Sequence, residues 1–370
     1  MAEPFETTVI GSMPKPPWLY RQTAMNAKDS DHHGGGADWL LSGHELHEAQ
    51  NDAVRLAIYD QETAGVRIIS DGEQRRKSYL THITSQLGGI DYETLAEKWI
   101  RDGRRLAQVG RCIGPVEWPG PIVVDDLTFL LTQTTSPVKV TLPGPMTVVD
   151  SIYDDHYGDE RAFAMAVAEA INKEAKALDT RGPAVIQFDE PVFSRYPEKV
   201  AEWGIEALNR CADGLIAQTA VHVCYSYAMP GVERPIKPSY PQILAELEKS
   251  KIDQLALEFQ ASQLDPALLE LCPSKTVLFG CIDNANLEIE SAPDIAKRLL
   301  LAAEHHDPTK IQAAPDCGLV PLTQRIARAK LSALFRGSQI ARDQLLGPEG
   351  GPHGFHDHEH GHGHEHGHGH

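Results

Sequence analysis

Positive charge is in short supply in this chain: 34 Lys and Arg stand against 52 Asp and Glu, a formal net charge of -18 over 370 residues. Nucleic-acid surfaces need clustered cations to meet phosphate, so this balance argues against one and favours small-molecule chemistry. Long hydrophobic runs are missing too. Charge or proline breaks every apolar stretch well before the ~20 residues that span a bilayer, which argues against a membrane partner. The N-terminus lacks the basic-then-apolar order of a secretory signal, so a cytoplasmic protein is expected. Cysteine is scarce, at six irregularly spaced residues, which excludes a disulfide framework for a chain this size. A reducing compartment leaves such thiols free to bind metal.

What is present is a repeating alternation. Eight short apolar or β-branched runs occupy residues 7–12, 66–72, 138–143, 184–189, 220–225, 254–259, 276–282 and 311–316. Helix-like segments separate most of them, as at 162–178, 240–249 and 292–304, where apolar residues recur at helical spacing. Strand then helix, eight times over, predicts an α/β fold with a parallel sheet closed as a single (β/α)8 TIM barrel. Two long connections, 13–52 and 88–136, are candidates for lid-like insertions over its rim, the second as an extra hairpin. The barrel should fill residues 1–346. Residues 347–370 hold half of the 18 histidines among Gly, Asp and Glu, with almost no apolar residue. That composition predicts a disordered tail with weak affinity for metal.

Polar residues cluster where the runs end, at Gly11 and Ser12, Asp71 to Glu73, Asp189 and Glu190, His222 and Cys224, Glu258, Asp283, and Asp316 and Cys317. In a barrel of this kind the C-terminal rim is where catalytic groups gather. His222 and Cys224 are two apart, so on a strand they face the same way. With Glu258 and Cys317 arriving from separate strands, the four read as a zinc site of the catalytic kind. The remaining cysteines, Cys112, Cys211, Cys272 and Cys281, read as core thiols.

These motifs resemble the cobalamin-independent methionine synthases, specifically their C-terminal catalytic barrel and the short core proteins that have only that half. The match rests on Thr-Thr-Val-Ile-Gly-Ser (7–12), Ser-Asp-Gly-Glu (70–73), Phe-Asp-Glu-Pro (188–191), His-Val-Cys-Tyr (222–225) and Pro-Asp-Cys-Gly-Leu (315–319). The resemblance implies that His222, Cys224, Glu258 and Cys317 hold Zn2+, which accepts the thiol of homocysteine. It also implies that Ser12, with the backbone at Ile10 and Gly11, binds the amino-acid carboxylate while Glu73 and Asp189 hold the ammonium. The expected activity is zinc-dependent methylation of homocysteine to methionine, with an oligomer left open.

One departure bears on the methyl donor. Long-form members carry a histidine after the seventh strand that assists proton delivery, and here the segment 280–287 reads Gly-Cys-Ile-Asp-Asn-Ala-Asn-Leu. Asp283 is the candidate acid in its place. The N-terminal half that grips methyl-folate is also absent, so a corrinoid or corrinoid protein of the methylcobalamin type is expected as donor alongside methyl-folate. Two rival functions remain. One is epoxyalkane:coenzyme M transfer, with Arg75, Arg76 and Lys77 meeting a sulfonate and Tyr79, His82 or Asp283 as acid; the other is metal storage through the His-rich tail.

Overall fold

A computed structural model of the chain describes residues 3–22, 37–103, 105–225 and 238–347. The His-rich segment beyond residue 347 and most of the Gly-rich stretch in the first insertion lie outside the described residues. Seven strands form one parallel sheet in the order Glu6–Thr7, Ile311–Pro315, Thr276–Ile282, Gln254–Leu257, Gln218–Val223, Val185–Asp189 and Lys139–Pro143. Parallel bridges at Thr8 with Ile68 and at Ile69 with Val138 carry the ladder across the remaining gap. An eighth short segment therefore links the two ends of the sheet, and the expected α/β barrel is the observed architecture.

The strands are buried along almost their whole length, as expected for a sheet with helices outside and packed side chains within. The helices expected from periodicity run Glu160–Asp179, Tyr240–Glu248 and Ala292–Ala303. Asp159 and Ser291 cap the first and third by accepting from Ala162 N at 2.6 Å and Asp294 N at 3.3 Å.

The first two of the eight runs are far shorter as strands than the sequence suggests. The first is a strand only at Glu6–Thr7, and the second contributes bridges alone. Beyond Thr8 the chain leaves the ladder, and side chains from other strands satisfy its carbonyls. Lys139 Nζ donates to Val9 O at 2.7 Å, Gln187 Nε2 to Ile10 O at 2.8 Å and Ser70 Oγ to Gly11 O at 2.5 Å. This releases residues 9–12 to line the rim.

Both insertions carry structure of their own. The first runs into the 21-residue helix Gly43–Thr63, which continues past its end. The second is an antiparallel hairpin, Gly88–Ile100 with Arg105–Glu117, followed by the helix Val124–Gln133. Arg101 and Asp102 sit at the hairpin tip with φ of 57° and 62°, a left-handed turn that reverses the chain. Asp150 accepts from Arg101 N at 3.2 Å, and Asp102 N donates to Tyr196 Oη at 2.5 Å, so the tip is tied down to the barrel.

Candidate active site

The strand registers bring the rim residues together. Asp189 pairs with His222 across two neighbouring strands, and Leu257 pairs with Val223 on the next, which sets Glu258 beside Cys224. Cys317 arrives from the end of Ile311–Pro315. Asp316, just before it, accepts from Phe259, Gln260 and Ala261 N at 3.0, 2.9 and 2.6 Å, so one carboxylate shapes the loop after Glu258. Gly280 has to be glycine here, because a Cβ would stand 2.0 Å from Asp316 Oδ1.

His222, Cys224 and Cys317 are buried, and their ligand atoms all lie within 4.8 Å of one another. The two sulfurs are 4.0 Å apart. A tetrahedral zinc with sulfurs at ~2.3 Å would separate them by ~3.8 Å. His222 Nδ1 lies 3.2 Å from Asp189 Oδ1, which fixes the proton on that nitrogen. Its Nε2 is buried with no hydrogen-bond partner among the described residues. An unpaired buried polar atom is costly, and a carboxylate on the far nitrogen is what a metal-ligating histidine ordinarily has. The donor set and this orphaned atom fit a zinc ion.

Charge in the site follows from burial and neighbours. Burial opposes a positive His222, but Cys224 and Asp189 outweigh it and push the imidazole up to about 10. The Cys317 thiol is held well above its ordinary value by its contact with Cys224, by burial and by the Cys224 and Glu258 charges. Glu258 is fully buried and its Oε2 accepts from Tyr225 N at 3.3 Å, but it stands outside the compact group of three.

These ligands line one cleft. Ile10, Gly11, Ser12, Glu73 and Asp189 line the same cleft, so the structure places all five proposed substrate-binding residues next to the three clustered ligands. Glu73 reaches it through backbone that side chains seldom adopt, with φ of 65° at Gly72 and 55° at Glu73. Thr141 Oγ1 donates to Glu73 Oε1 at 2.9 Å, and Arg76 Nη1 donates to Thr141 O at 3.0 Å. Burial raises the Glu73 carboxyl, and Arg76 partly offsets that. A Cβ on Gly11 would come within 2.7 Å of Glu73 Oε1, so only glycine lets this carboxylate lie against the loop. Ser12 Oγ is buried and has no partner among the described residues.

Asp283 does not line the cleft; its Oδ1 accepts from Ala285 N at 2.8 Å, as a loop-closing aspartate does. Two further polar side chains line the cleft: Tyr79, which the sequence offered only as an acid for epoxide opening, and Arg101 from the hairpin tip, which the sequence left unassigned. Only the Arg-Asp-Gly turn signal at 101–103 marks that tip in the sequence, and it says nothing of where the tip lands.

Residues 5–339 match the model of the cobalamin-independent synthase catalytic domain. The chain belongs to that family. It is 31% identical to the methionine synthase of Sulfurisphaera tokodaii over 92% of this chain and 93% of that protein. A methionine synthase of Pyrococcus horikoshii is 29% identical over similar shares, 92% and 93%. Among solved structures, a B12-independent methionine synthase from Shewanella sp. W3-18-1, in complex with selenomethionine, superposes with a TM-score of 0.84. It is 38% identical, covering 94% of this chain and 99% of that one. A Listeria monocytogenes protein at 18% identity and a TM-score of 0.67 shares the fold. Membership makes the chain an enzyme, a methyltransferase. The family's own description runs against the corrinoid donor expected from the sequence, since its members work independently of cobalamin. Nor is any helix among the described residues long and apolar enough to cross a membrane.

Proposed function

We propose that this enzyme methylates homocysteine to methionine with zinc held by His222, Cys224 and Cys317, and with Glu258 as a fourth ligand that gives way to substrate. The observation that carries the reading is the buried ligand triangle with its unpaired His222 Nε2, set in a cleft that also holds two carboxylates. A zinc ion bound there supplies the acidity that makes an incoming thiol a nucleophile at neutral pH.

The chain's own residues do the rest. Glu73 and Asp189 offer charge-assisted hydrogen bonds to an ammonium, and the unpartnered Ser12 Oγ suits a carboxylate. Asp189 serves His222 and the ammonium at once. Lys139 and Gln187 hold the Val9 and Ile10 carbonyls back from the cleft, which leaves the Gly11 and Ser12 edge for substrate. Fixing both ends of the amino acid aims its sulfur, and that orientation is a large share of what such a site can contribute. The selenomethionine bound by the Shewanella relative is a close chemical likeness of the expected product.

A carboxylate pair in the cleft also weighs against coenzyme M, whose sulfonate would face two like charges. Tail-mediated metal storage rests on residues outside those described. The test is a matrix of thiols and donors: homocysteine and coenzyme M, each with methyl-folate, methylcobalamin and a small epoxide, products detected by mass. Methionine from homocysteine, lost on chelation and restored by zinc, is the expected result, and a protein truncated after Leu346 should do the same. No methionine with any donor would sink the reading.

A further inference from the structure

The amino-acid subsite and the metal ligands leave two polar groups in the cleft without a task. Tyr79 and Arg101 line it together with Cys224 and Cys317. Tyr79 Oη and Arg101 Nη1 are buried. Burial raises the Tyr79 phenol above its ordinary value and so keeps the proton on Oη, and the nearby Arg101 guanidinium, which also engages the phenol as a hydrogen-bond donor, partly lowers it. Arg101 Nη1 stands 3.5 Å from Asp150 Oδ2 as an ion pair. Asp150 in turn accepts from Tyr196 Oη at 3.1 Å, which holds the carboxylate that faces the arginine.

Resting on the methyl-transfer reading above, we infer that Tyr79, supported by Arg101, is the hydrogen donor that meets the leaving nitrogen of an N-methyl donor. As the thiolate sulfur forms its bond to the methyl carbon, the carbon–nitrogen bond breaks and its electron pair stays on the nitrogen. That nitrogen takes the proton of Tyr79 Oη. The phenolate left behind sits beside the Arg101 cation, and water returns the proton once product departs. Asp283, turned to its own loop, does not provide such an acid.

Tyr79→Phe and Arg101→Gln in the zinc-loaded full chain test it against two methyl sources. Methyl-folate leaves as a basic nitrogen; methyl iodide leaves as iodide and takes no proton. Tyr79→Phe should lower kcat with methyl-folate by about 100-fold or more, while zinc content, homocysteine KM and the methyl iodide rate stay near wild type. Arg101→Gln should show the same selectivity with a smaller loss. Unchanged methyl-folate turnover in Tyr79→Phe, or equal loss with both methyl sources, overturns the inference. A wild-type protein that accepts methyl iodide but no N-methyl donor overturns it and leaves thiol methylation standing. If wild type methylates no thiol, both fall.

Discussion

Asp189 tests the metal site without removing a ligand. Its Oδ1 lies 3.2 Å from His222 Nδ1 and accepts from Gln187 Nε2 at 2.8 Å. Asp189→Asn can keep an oxygen in that place, so what it loses is the charge that makes His222 a better base. Second-shell partners of this kind typically contribute about 10–100-fold to metal affinity. The isosteric change should fall near the lower end, about 1.4 kcal/mol, because the hydrogen-bond geometry survives. Asp189→Ala loses the oxygen as well, frees the ring to rotate, and should approach about 100-fold, or 2.7 kcal/mol.

Competition with a chromophoric chelator reads zinc affinity directly, with no dependence on turnover. Both variants should also raise the KM for homocysteine, since the same carboxylate faces the cleft. The two effects can be separated: chelator competition without thiol reports only on the His222 contact. Zinc affinity in Asp189→Ala within about twofold of wild type would refute the argument that this carboxylate fixes the imidazole.

Cys317→Ser takes away one of two sulfurs 4.0 Å apart, so zinc retention and methionine formation should vanish together; full activity in that metal-free variant would contradict the mechanism. Zinc binding should also strengthen steeply with pH. His222, pushed up to about 10, and Cys317, held well above its ordinary value, both carry protons at neutral pH that the metal must displace, so apparent affinity should climb by about two decades per pH unit from 6.5 to 8.5. A flat profile would show those protons already gone. Burial lowers Lys139 from 10.5 to about 7, with Asp189 only partly opposing. Between those values the unfolded chain holds the proton and the folded one does not, so stability should rise with pH. Urea titrations at pH 6.5 and 9.5 should show wild type gaining about 3 kcal/mol relative to Lys139→Met, and an unchanging gap would mean that the amine is not titrating in the barrel.

The barrel was legible because its strands are covered on both faces. Near-continuous apolar runs ending in polar residues leave few other architectures, and the two-residue spacing of His222 and Cys224 survives as a shared direction at the end of Gln218–Val223. The rim loop at 9–12 was less legible as a loop. Its carbonyls are satisfied by Lys139, Gln187 and Ser70, residues up to 177 positions away, so nothing in the local pattern says that the strand has already ended. Arg101 was illegible for a related reason. Its place depends on a hairpin whose register shifts between Asp91 and Ala96 and on a tip fastened by Asp150 and Tyr196.

Glu258 shows where motif reading and geometry part. The sequence presents four candidate ligands, with Glu258 the displaceable one, and the fold gathers the other three. Register sets Glu258 beside Cys224, yet its carboxylate turns to Tyr225 N over a long 3.3 Å contact and not into the triangle. Its backbone N–H donates to Tyr240 Oη at 3.0 Å, and that hydroxyl donates to Val223 O at 2.6 Å, so the main chain is held firmly on both sides. A buried carboxylate set beside Cys224 but outside the ligand triangle suits the proposed role of a fourth ligand that yields its place to a thiol.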